Sequence, residues 1–381
     1  MDFFLSEDQK MLKAMVREFA EKEIGPLAAK IDDESYFPVE IVKKASEIGL
    51  MGTGYPEEYG GSGGGALEQI IVFEEVARIC ASTCVILAAS CELAAHPIFH
   101  YGTEEQKKKF LVPILTGKKL GAFGLTEAGA GSDVAAMQTT ATKKNGGYVL
   151  NGNKIFITNG VEAELITVFA TLDKSLGYKG VTAFVVEKGT PGYSVGKHER
   201  KLGIRGSSTA ELVFDNCFIP EGNRIGPDGK GFRIALETID GSRIGIAAQS
   251  IGIAQAAFET ALAYAKERQQ FGQQLANFQG IQWMLSDMAT RLEAARLLAY
   301  RAAFLRDQHL PFAKEASMAK VYAAEMSAFV TTKAIQIHGG YGFTKDFPVE
   351  RYFRDARITE IYEGTSEMQR MTIARLLLKG E

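Results

Sequence analysis

What the chain lacks narrows its function first. Four cysteines in 381 residues are too few for a disulfide scaffold. None stands in a Cys-x-x-Cys pair, and the five histidines form no His-Glu-x-x-His motif, so no metal site is expected. Cys80 and Cys84 are spaced for one helix face, with Cys91 one to two turns on, and read as small buried hydrophobes. Neither Gly-x-Gly-x-x-Gly nor Gly-x4-Gly-Lys-Ser/Thr occurs, which disfavours a Rossmann NAD enzyme and a P-loop NTPase. A net charge of −3 supplies no cationic surface for a nucleic-acid backbone. The N-terminal stretch Met1-Asp2-Phe3-Phe4-Leu5-Ser6-Glu7-Asp8 is acidic, with no basic region and no long apolar core. No secretory or transit leader is read there, and the expected location is the cytoplasm of a bacterium or, for a mature protein, an organelle matrix. The longest weakly polar run, Ile79 to Cys91, is too short and too polar to span a bilayer.

What is present is a globular composition, 46% apolar and 23% charged, arranged in three zones. Residues 1–118 read as helical. Ser6 and Gln9 form a capping-box pattern ahead of Leu12, Met15, Val16, Phe19 and Ala20. Pro38 opens a helix over 39–48. A glycine-rich loop at 60–65 precedes a long helical run from Leu67 to about His100, and Gln106 to Leu115 forms another helix. Residues 119–230 change to short β-rich runs at 119–125, 148–150, 154–158, 165–171, 181–187 and 210–214. Asn145-Gly146-Gly147 and Asn151-Gly152-Asn153 read as turns between them. Strands and helices do not alternate here, so the insert is all-β. Residues 231–381 return to helix over 231–268, 278–307 and 311–337, the last with Pro311 in its first turn, which together suggest a four-helix bundle.

Two segments hold candidate chemistry. In Ile361-Tyr362-Glu363-Gly364-Thr365-Ser366-Glu367 a glutamate lies between an aromatic residue and a glycine. An apolar flank raises a carboxyl toward neutrality, where it serves as a base. Gly364 allows a sharp turn or close approach to a ligand, and Thr365 or Ser366 caps a following helix. On these residues alone, a plain helix cap with ordinary surface acids is favoured over a catalytic base. In Phe123-Gly124-Leu125-Thr126-Glu127-Ala128-Gly129-Ala130-Gly131-Ser132-Asp133, small residues after a strand make either a tight β-turn or a loop whose N–H groups meet a polar ligand.

These segments occur in order with Lys154-Ile155-Phe156-Ile157-Thr158-Asn159-Gly160, Lys201-Leu202-Gly203-Ile204-Arg205-Gly206-Ser207, Glu267-Arg268-Gln269-Gln270-Phe271-Gly272, Gln336-Ile337-His338-Gly339-Gly340-Tyr341-Gly342 and Arg354-Asp355-Ala356-Arg357. The set resembles the acyl-CoA dehydrogenase family over essentially the whole chain, closely its short-chain (butyryl-CoA) branch. The resemblance implies a mainly α fold with a central β-sandwich or barrel, an N-terminal helical domain and a C-terminal four-helix bundle. It also implies a homotetramer, non-covalent FAD, an acyl-CoA substrate and electron-transferring flavoprotein as electron acceptor.

By the same carry-over, Phe123, Leu125, Thr126, Gly131 and Ser132 line the flavin and substrate, and Phe156, Ile157 and Thr158 lie against the flavin. Arg268, with its fixed donor fork, suits the FAD pyrophosphate, and Phe271 is a further cofactor contact. Gln279, Gln336, Ile337, Gly339 and Gly340 reach FAD from a neighbouring subunit. Thr365, Ser366 and Glu367 complete the cofactor contacts. Glu363 is the base that takes the α-proton. Ser132, Asp240, Gly241, Ser242, Arg243 and Gly364 position the substrate. Without the neighbouring motifs, Arg268 reads equally as a surface salt bridge, and Asp240 with Arg243 as an intrahelical pair.

Some relatives carry the base at the position of Ser242, which has no basic side chain here. The family often has Trp at the position of Phe156 and Pro at that of Ala128. Dehydrogenation of a branched or alicyclic acyl-CoA, oxygen-dependent oxidation, and a catalytically silent flavoprotein of the same fold are the alternatives. Retained Glu363 and the absence of a basic extension weigh against the last. Cys91, Glu92 and Leu93 fall where the family's acyl pocket is lined; Glu92 is then a second pocket carboxylate or, more simply, part of a solvated helix face.

Overall fold

Ser6 fixes the first helix. Its hydroxyl accepts the Gln9 N–H at 3.2 Å while the Gln9 side chain accepts the Ser6 N–H at 3.0 Å, the reciprocal box expected of this spacing. The chain is a computed structural model describing residues 4–380, so Met1, Asp2 and Phe3 of the acidic N-terminal stretch, and Glu381, lie outside the described residues. Helix α1 (Glu7–Phe19) is followed by α2 (Ala28–Asp33) and α3 (Val39–Glu47), the latter starting behind Pro38.

The expected run from Leu67 to His100 is not one helix. It divides into α4 (Ala66–Ile79), α5 (Ala81–Ala88), a π-helical turn at Ala89–Ala94 and α6 (Ala95–Tyr101). Cys80 is extended (φ −150°, ψ 104°) and separates α4 from α5, so Cys80 and Cys84 do not share the face of one continuous helix. The break leaves the Ser82 hydroxyl accepting the Gly206 N–H at 3.1 Å, which ties the helical layer to a loop of the β-region. All four cysteines are buried and unpaired. The apolar stretch is also longer than its sequence suggested: Ala81–Tyr101 has the length and composition of a membrane span, but 89% of its apolar window is buried inside the protein, as in a core helix. His96 and His100, four residues apart, bring their rings to 4.2 Å, yet no group of three metal-binding side chains forms among the described residues. Short helices α7 (Glu104–Gln106) and α8 (Val112–Leu115) close this region.

The β-region holds β1 (Gly121–Gly124), β2 (Thr140–Lys144), β3 (Gly147–Thr158), β4 (Leu165–Thr171), β5 (Val181–Glu187), β6 (Tyr193–His198), β7 (Thr209–Pro220) and β8 (Arg224–Ile225). They form one eight-stranded sheet in the order β6-β7-β3-β2-β4-β5-β8, with β1 parallel to β4. All seven residues of β4 are buried. Its alternate side chains enter two cores: Leu165 and Phe169 pack with Ile98, Phe110 and Ile234 of the helices, whereas Ile166, Val168 and Ala170 pack with Tyr148, Phe184 and Leu212 of the sheet. Asn151-Gly152-Asn153 is not a turn between strands. β3 runs through it as a bulge against β7, and a second register shift falls between Lys154 and Ile157.

The remaining helices are α9 (Gly231–Glu267), α10 (Gln279–Asp307), α11 (Ala313–His338), α12 (Val349–Ala356) and α13 (Ser366–Lys379). Pro311 precedes α11 instead of sitting in its first turn. Alanines on facing surfaces let α9, α10 and α11 pack closely around Ala257, Ala299 and Ala319. α4 joins this bundle: a Cβ at Gly252 of α9 would collide with the Glu74 carbonyl, so the glycine permits backbone contact there. Asp307, at the end of α10, accepts the Ala66 and Leu67 N–H groups at 2.6 and 3.1 Å and so caps α4 from far along the chain.

Candidate active site

The second bulge of β3 forms one wall of the site. Phe156 adopts φ +58°, a left-handed conformation that a bulky residue takes only under constraint. Its ring is left 60% exposed, while Ile157 is buried behind it. The loop after β1 lies alongside, where the Ile155 N–H donates to the Thr126 carbonyl at 2.9 Å. A buried ion pair anchors that loop. Lys154 Nζ meets Glu127 Oε1 at 2.7 Å and the Leu125 carbonyl at 3.0 Å, and Glu127 also accepts the Gln138 and Thr139 N–H groups. Burial draws the Lys154 ammonium down to about 8. Burial alone would push Glu127 up, but Lys154 and the N–H donors outweigh it and hold the carboxyl below its usual value.

The opposite wall comes from the helices. Val85 and Ala89 with Leu93 lie one turn apart along α5 and the π-helical turn, and Ile239 of α9 and the segment Tyr362–Glu363 complete the enclosure. Together with Phe123, Leu125, Thr126, Phe156, Ile157 and Thr158 they line a cavity of about 130 Å³. A second cavity of about 330 Å³ shares Val85, Phe156, Thr158 and Tyr362 and extends along Lys201, Leu202 and Gly203.

Glu363 stands at φ +52° and Gly364 at +91°, two successive left-handed residues. The Gly364 carbonyl accepts from Lys320 Nζ at 2.7 Å and Gln369 Nε2 at 2.8 Å, and the Glu363 carbonyl from the same amide at 3.2 Å. The Ser242 hydroxyl donates to Glu363 Oε2. Burial pushes the carboxyl up to about 7, against the Ser242 hydrogen bond and the charges of Lys320 and Arg243. The Glu363 N–H donates to no group among the described residues. The Thr365 side chain accepts the Met368 N–H at 3.3 Å, so Thr365 is the cap of α13 and Ser366 its first residue. Asp240 and Arg243 pair at 2.5 Å, and Arg243 also donates to Ser317 at 3.2 Å.

Of the sequence-predicted residues, Phe123, Leu125, Thr126, Phe156, Ile157, Thr158 and Glu363 meet around one cavity. Gly131 and Ser132 lie on the exposed rim of the loop, outside that lining. Gly241, Ser242 and Arg243 are buried behind Glu363, and Glu367 is exposed. Arg268, Phe271, Gln279, Gln336, Ile337, Gly339 and Gly340 gather elsewhere, where α9 ends, α10 begins and α11 ends. There Arg268 lies 5.9 Å from the Tyr341 ring centroid and Tyr264 stacks on His338 at 4.3 Å. Phe271 is 94% exposed, and Ile337 is buried in the bundle core. From Ser242 to Arg268, α9 climbs roughly 39 Å at about 1.5 Å per residue, further than one dinucleotide reaches.

One site residue escaped the sequence, and a second was assigned to the wrong surroundings. Lys320 carried no motif and is fully buried under Gly364. Glu92 is not on a solvated face: it is buried, with Arg306 Nη1 at 3.4 Å, and burial pushes its carboxyl up to about 8 while Arg306 opposes and Glu363 adds to the rise. A Cβ at Gly245 of α9 would collide with the Glu92 carboxylate, so the glycine makes room for it.

A helical layer, a central sheet and a helical bundle enclosing a raised carboxyl opposite an exposed aromatic face define a flavin-type dehydrogenase architecture, and the chain belongs to the acyl-CoA dehydrogenase family. The family's N-terminal, middle and C-terminal domains match residues 6–118, 122–217 and 229–378. The chain is 54% identical over 374 residues to the short-chain specific acyl-CoA dehydrogenase of Clostridium acetobutylicum, covering 98% of this chain and 99% of that one. It is 51% identical to the acryloyl-CoA reductase (NADH) of Anaerotignum propionicum, covering 100% and 96%. A solved chain from work on the electron transferring flavoprotein of Acidaminococcus fermentans and flavin-based electron bifurcation superposes with a TM-score of 0.98 at 50% identity, over the full length of both.

Membership of the family implies FAD, and the residues fit it. The constrained, exposed Phe156 ring offers a face for a planar ring system. Gly129 and Gly131 have nothing within 4 Å of where a Cβ would stand, leaving the loop's backbone open to a ligand.

Proposed function

We propose that the protein carries out FAD-dependent α,β-dehydrogenation of a short-chain acyl-CoA thioester to the trans-2-enoyl-CoA and passes the electrons to electron-transferring flavoprotein. The observation that carries this reading is Glu363, half-buried and raised to about 7, on the cavity wall facing Phe156 and Thr158. FAD, held non-covalently, supplies the acceptor for the hydride that leaves the substrate β-carbon. Phe123, Leu125, Thr126, Phe156, Ile157 and Thr158 hold the flavin on the sheet side, with Gly131 and Ser132 at the rim and Thr365, Ser366 and Glu367 at the base of α13. Glu363 Oε takes the α-proton, and a base tuned this close to neutral pH contributes roughly 10²–10⁴-fold. The free N–H of Glu363 donates to the thioester oxygen as negative charge develops there, an interaction worth about 3 kcal/mol. Arg243, held by Asp240, and Ser242 position the substrate-facing carboxylate. Arg268, Phe271, Gln279 and the Gln336–Gly340 segment complete the flavin site of a neighbouring copy within a homotetramer.

Glu363→Gln is expected to stay yellow and to bind acyl-CoA while turnover falls by at least about 100-fold; a variant that keeps a near-native rate removes Glu363 from the base role. Substrate class is tested by anaerobic titration of the flavoprotein with short linear, longer linear, branched and cyclic acyl-CoAs, reading loss of the flavin absorbance. The proposal expects the short linear thioesters to bleach it first. The likeness to an acryloyl-CoA reductase favours a second reading, in which the same residues run the step in reverse and Glu363 returns the proton to a short enoyl-CoA. Oxidation of reduced protein by acryloyl-CoA faster than oxidation of the substrate thioester favours that direction.

A further inference from the structure

Fully buried lysines are uncommon unless a partner holds them, and Lys320 meets no carboxylate at ion-pair distance among the described residues. Its ammonium donates to one group, the Gly364 carbonyl, at 2.7 Å. We infer that Lys320 is the positioning residue of the base: its ammonium pins the Glu363–Gly364 turn in its left-handed form, and its charge, which forms no ion pair with another carboxylate among the described residues, favours the ionised form of Glu363. The inference rests on Glu363 being the base.

Three observations support it. First, the two carbonyls of the turn are held by α11 and α13. Gln369 is the second donor to the Gly364 carbonyl, its own Oε1 is buried without a partner, and a Cβ at Gly364 would stand 2.7 Å from its Nε2. With both carbonyls drawn toward α11 and α13, the Glu363 side chain and N–H are left to the cavity. Second, the nearby cations are unequally committed. Ser242 and Arg243 face Glu363 from α9, but Arg243 is already paired with Asp240 at 2.5 Å, and Arg375 of α13 acts on both members of that pair. Glu92, on the π-helical turn, is matched by Arg306. Glu360 and Glu367, on Glu363's own segment, act on Lys320 from a greater distance than an ion pair. None of the three carboxylates forms an ion pair with Lys320; Glu363 acts on it most strongly, ahead of Glu360 and Glu367. Third, the carbonyl alone does not require a lysine, because a neutral amide donor also satisfies it. Burying an ammonium is costly without an opposing charge, and burial here draws Lys320 down only to about 8, with Glu363 the largest influence holding it up. Below that value the residue is cationic, and its charge favours the ionised form of its neighbour.

The test separates the two roles. Lys320→Gln keeps a donor for the Gly364 carbonyl but removes the charge; Lys320→Arg keeps the charge. In the flavin-loaded enzyme, Lys320→Gln is expected to move the acidic limb of kcat up by about one pH unit, a roughly fivefold lower kcat near pH 7 that approaches tenfold at lower pH, with KM for acyl-CoA unmoved and the rate recovering as pH rises. Lys320→Arg is expected to return the limb to its native position. Infrared pH-difference spectra of the substrate-free holoenzyme read the same carboxyl directly, through the band that disappears in Glu363→Gln, and that band is expected to titrate higher in Lys320→Gln. A lower kcat at every pH, with limb and band unmoved, overturns the inference and makes Lys320 a structural residue. If no band is lost in Glu363→Gln, the assignment of Glu363 as a titrating base fails instead, whatever the lysine variants do.

Discussion

Glu363 is one of the few non-glycine residues here with a positive φ, and its strain is held by contacts that reach it from three helices. A left-handed non-glycine residue costs on the order of 1–3 kcal/mol, so the turn persists only because Ser242, Lys320 and Gln369 all engage it. Ser242 has a separable role. Its hydroxyl donates to the carboxylate, a hydrogen bond that stabilises the ionised form. Ser242→Ala removes that donor, so the carboxyl rises above its native value of about 7 and a larger fraction is protonated at neutral pH. The base works only when ionised. The acidic limb of kcat against pH is therefore expected to shift upward by about one unit, equivalent to about 1.4 kcal/mol, while the alkaline plateau is retained. A pH profile that overlays the wild type removes Ser242 from any role in tuning the base.

At the scale of elements, the loop after β1 depends on the Glu127–Lys154 pair beneath it. Removing one partner of a buried pair costs on the order of 3 kcal/mol because the other is left uncompensated. Glu127→Gln is expected to lower the urea midpoint accordingly and to speed release of flavin, read as recovered flavin fluorescence on dilution; unchanged release would separate the loop from flavin retention. Lys154 also shows why this anchor was not legible in the sequence, where the 154–158 run reads as a strand and a lysine in a strand reads as solvent-facing. Local chemistry did identify the Ser6–Gln9 capping box, the Pro38 start of α3 and the bounds of β4 and β5, because those signals act over a few residues. It misread Asn151-Gly152-Asn153, since the residues that favour a turn also favour a bulge, and only pairing with β7 decides between them. Polar β6 and two-residue β8 gave no apolar alternation to detect. Lys320 was missed, and Glu92 was assigned to a solvated face, for one physical reason: a helix sequence shows which residues share a face but not which face a distant element will cover.

For the whole molecule, the decisive dimension is the length of α9. One end of this helix carries Ser242 and Arg243 beside the base, and the other delivers Arg268 to a cluster with exposed Phe271 and Phe343. Exposed aromatics there suit contact with another copy, and on the proposed reading that contact completes a neighbour's flavin site. The arrangement has a genetic consequence. Two crippled versions of the gene, one encoding Glu363→Gln and the other Arg268→Ala, are expected to complement each other. When the purified chains are dissociated together and allowed to reassociate, a mixed pair concentrates both lesions in one site and leaves the other intact, so activity returns that neither parent shows. A mixture that stays as inactive as its parents argues that each chain builds its site alone. If the activity returns, then a cell carrying two different defective copies retains part of the activity, and the severity of a substitution depends on which end of the long helix its companion allele has lost.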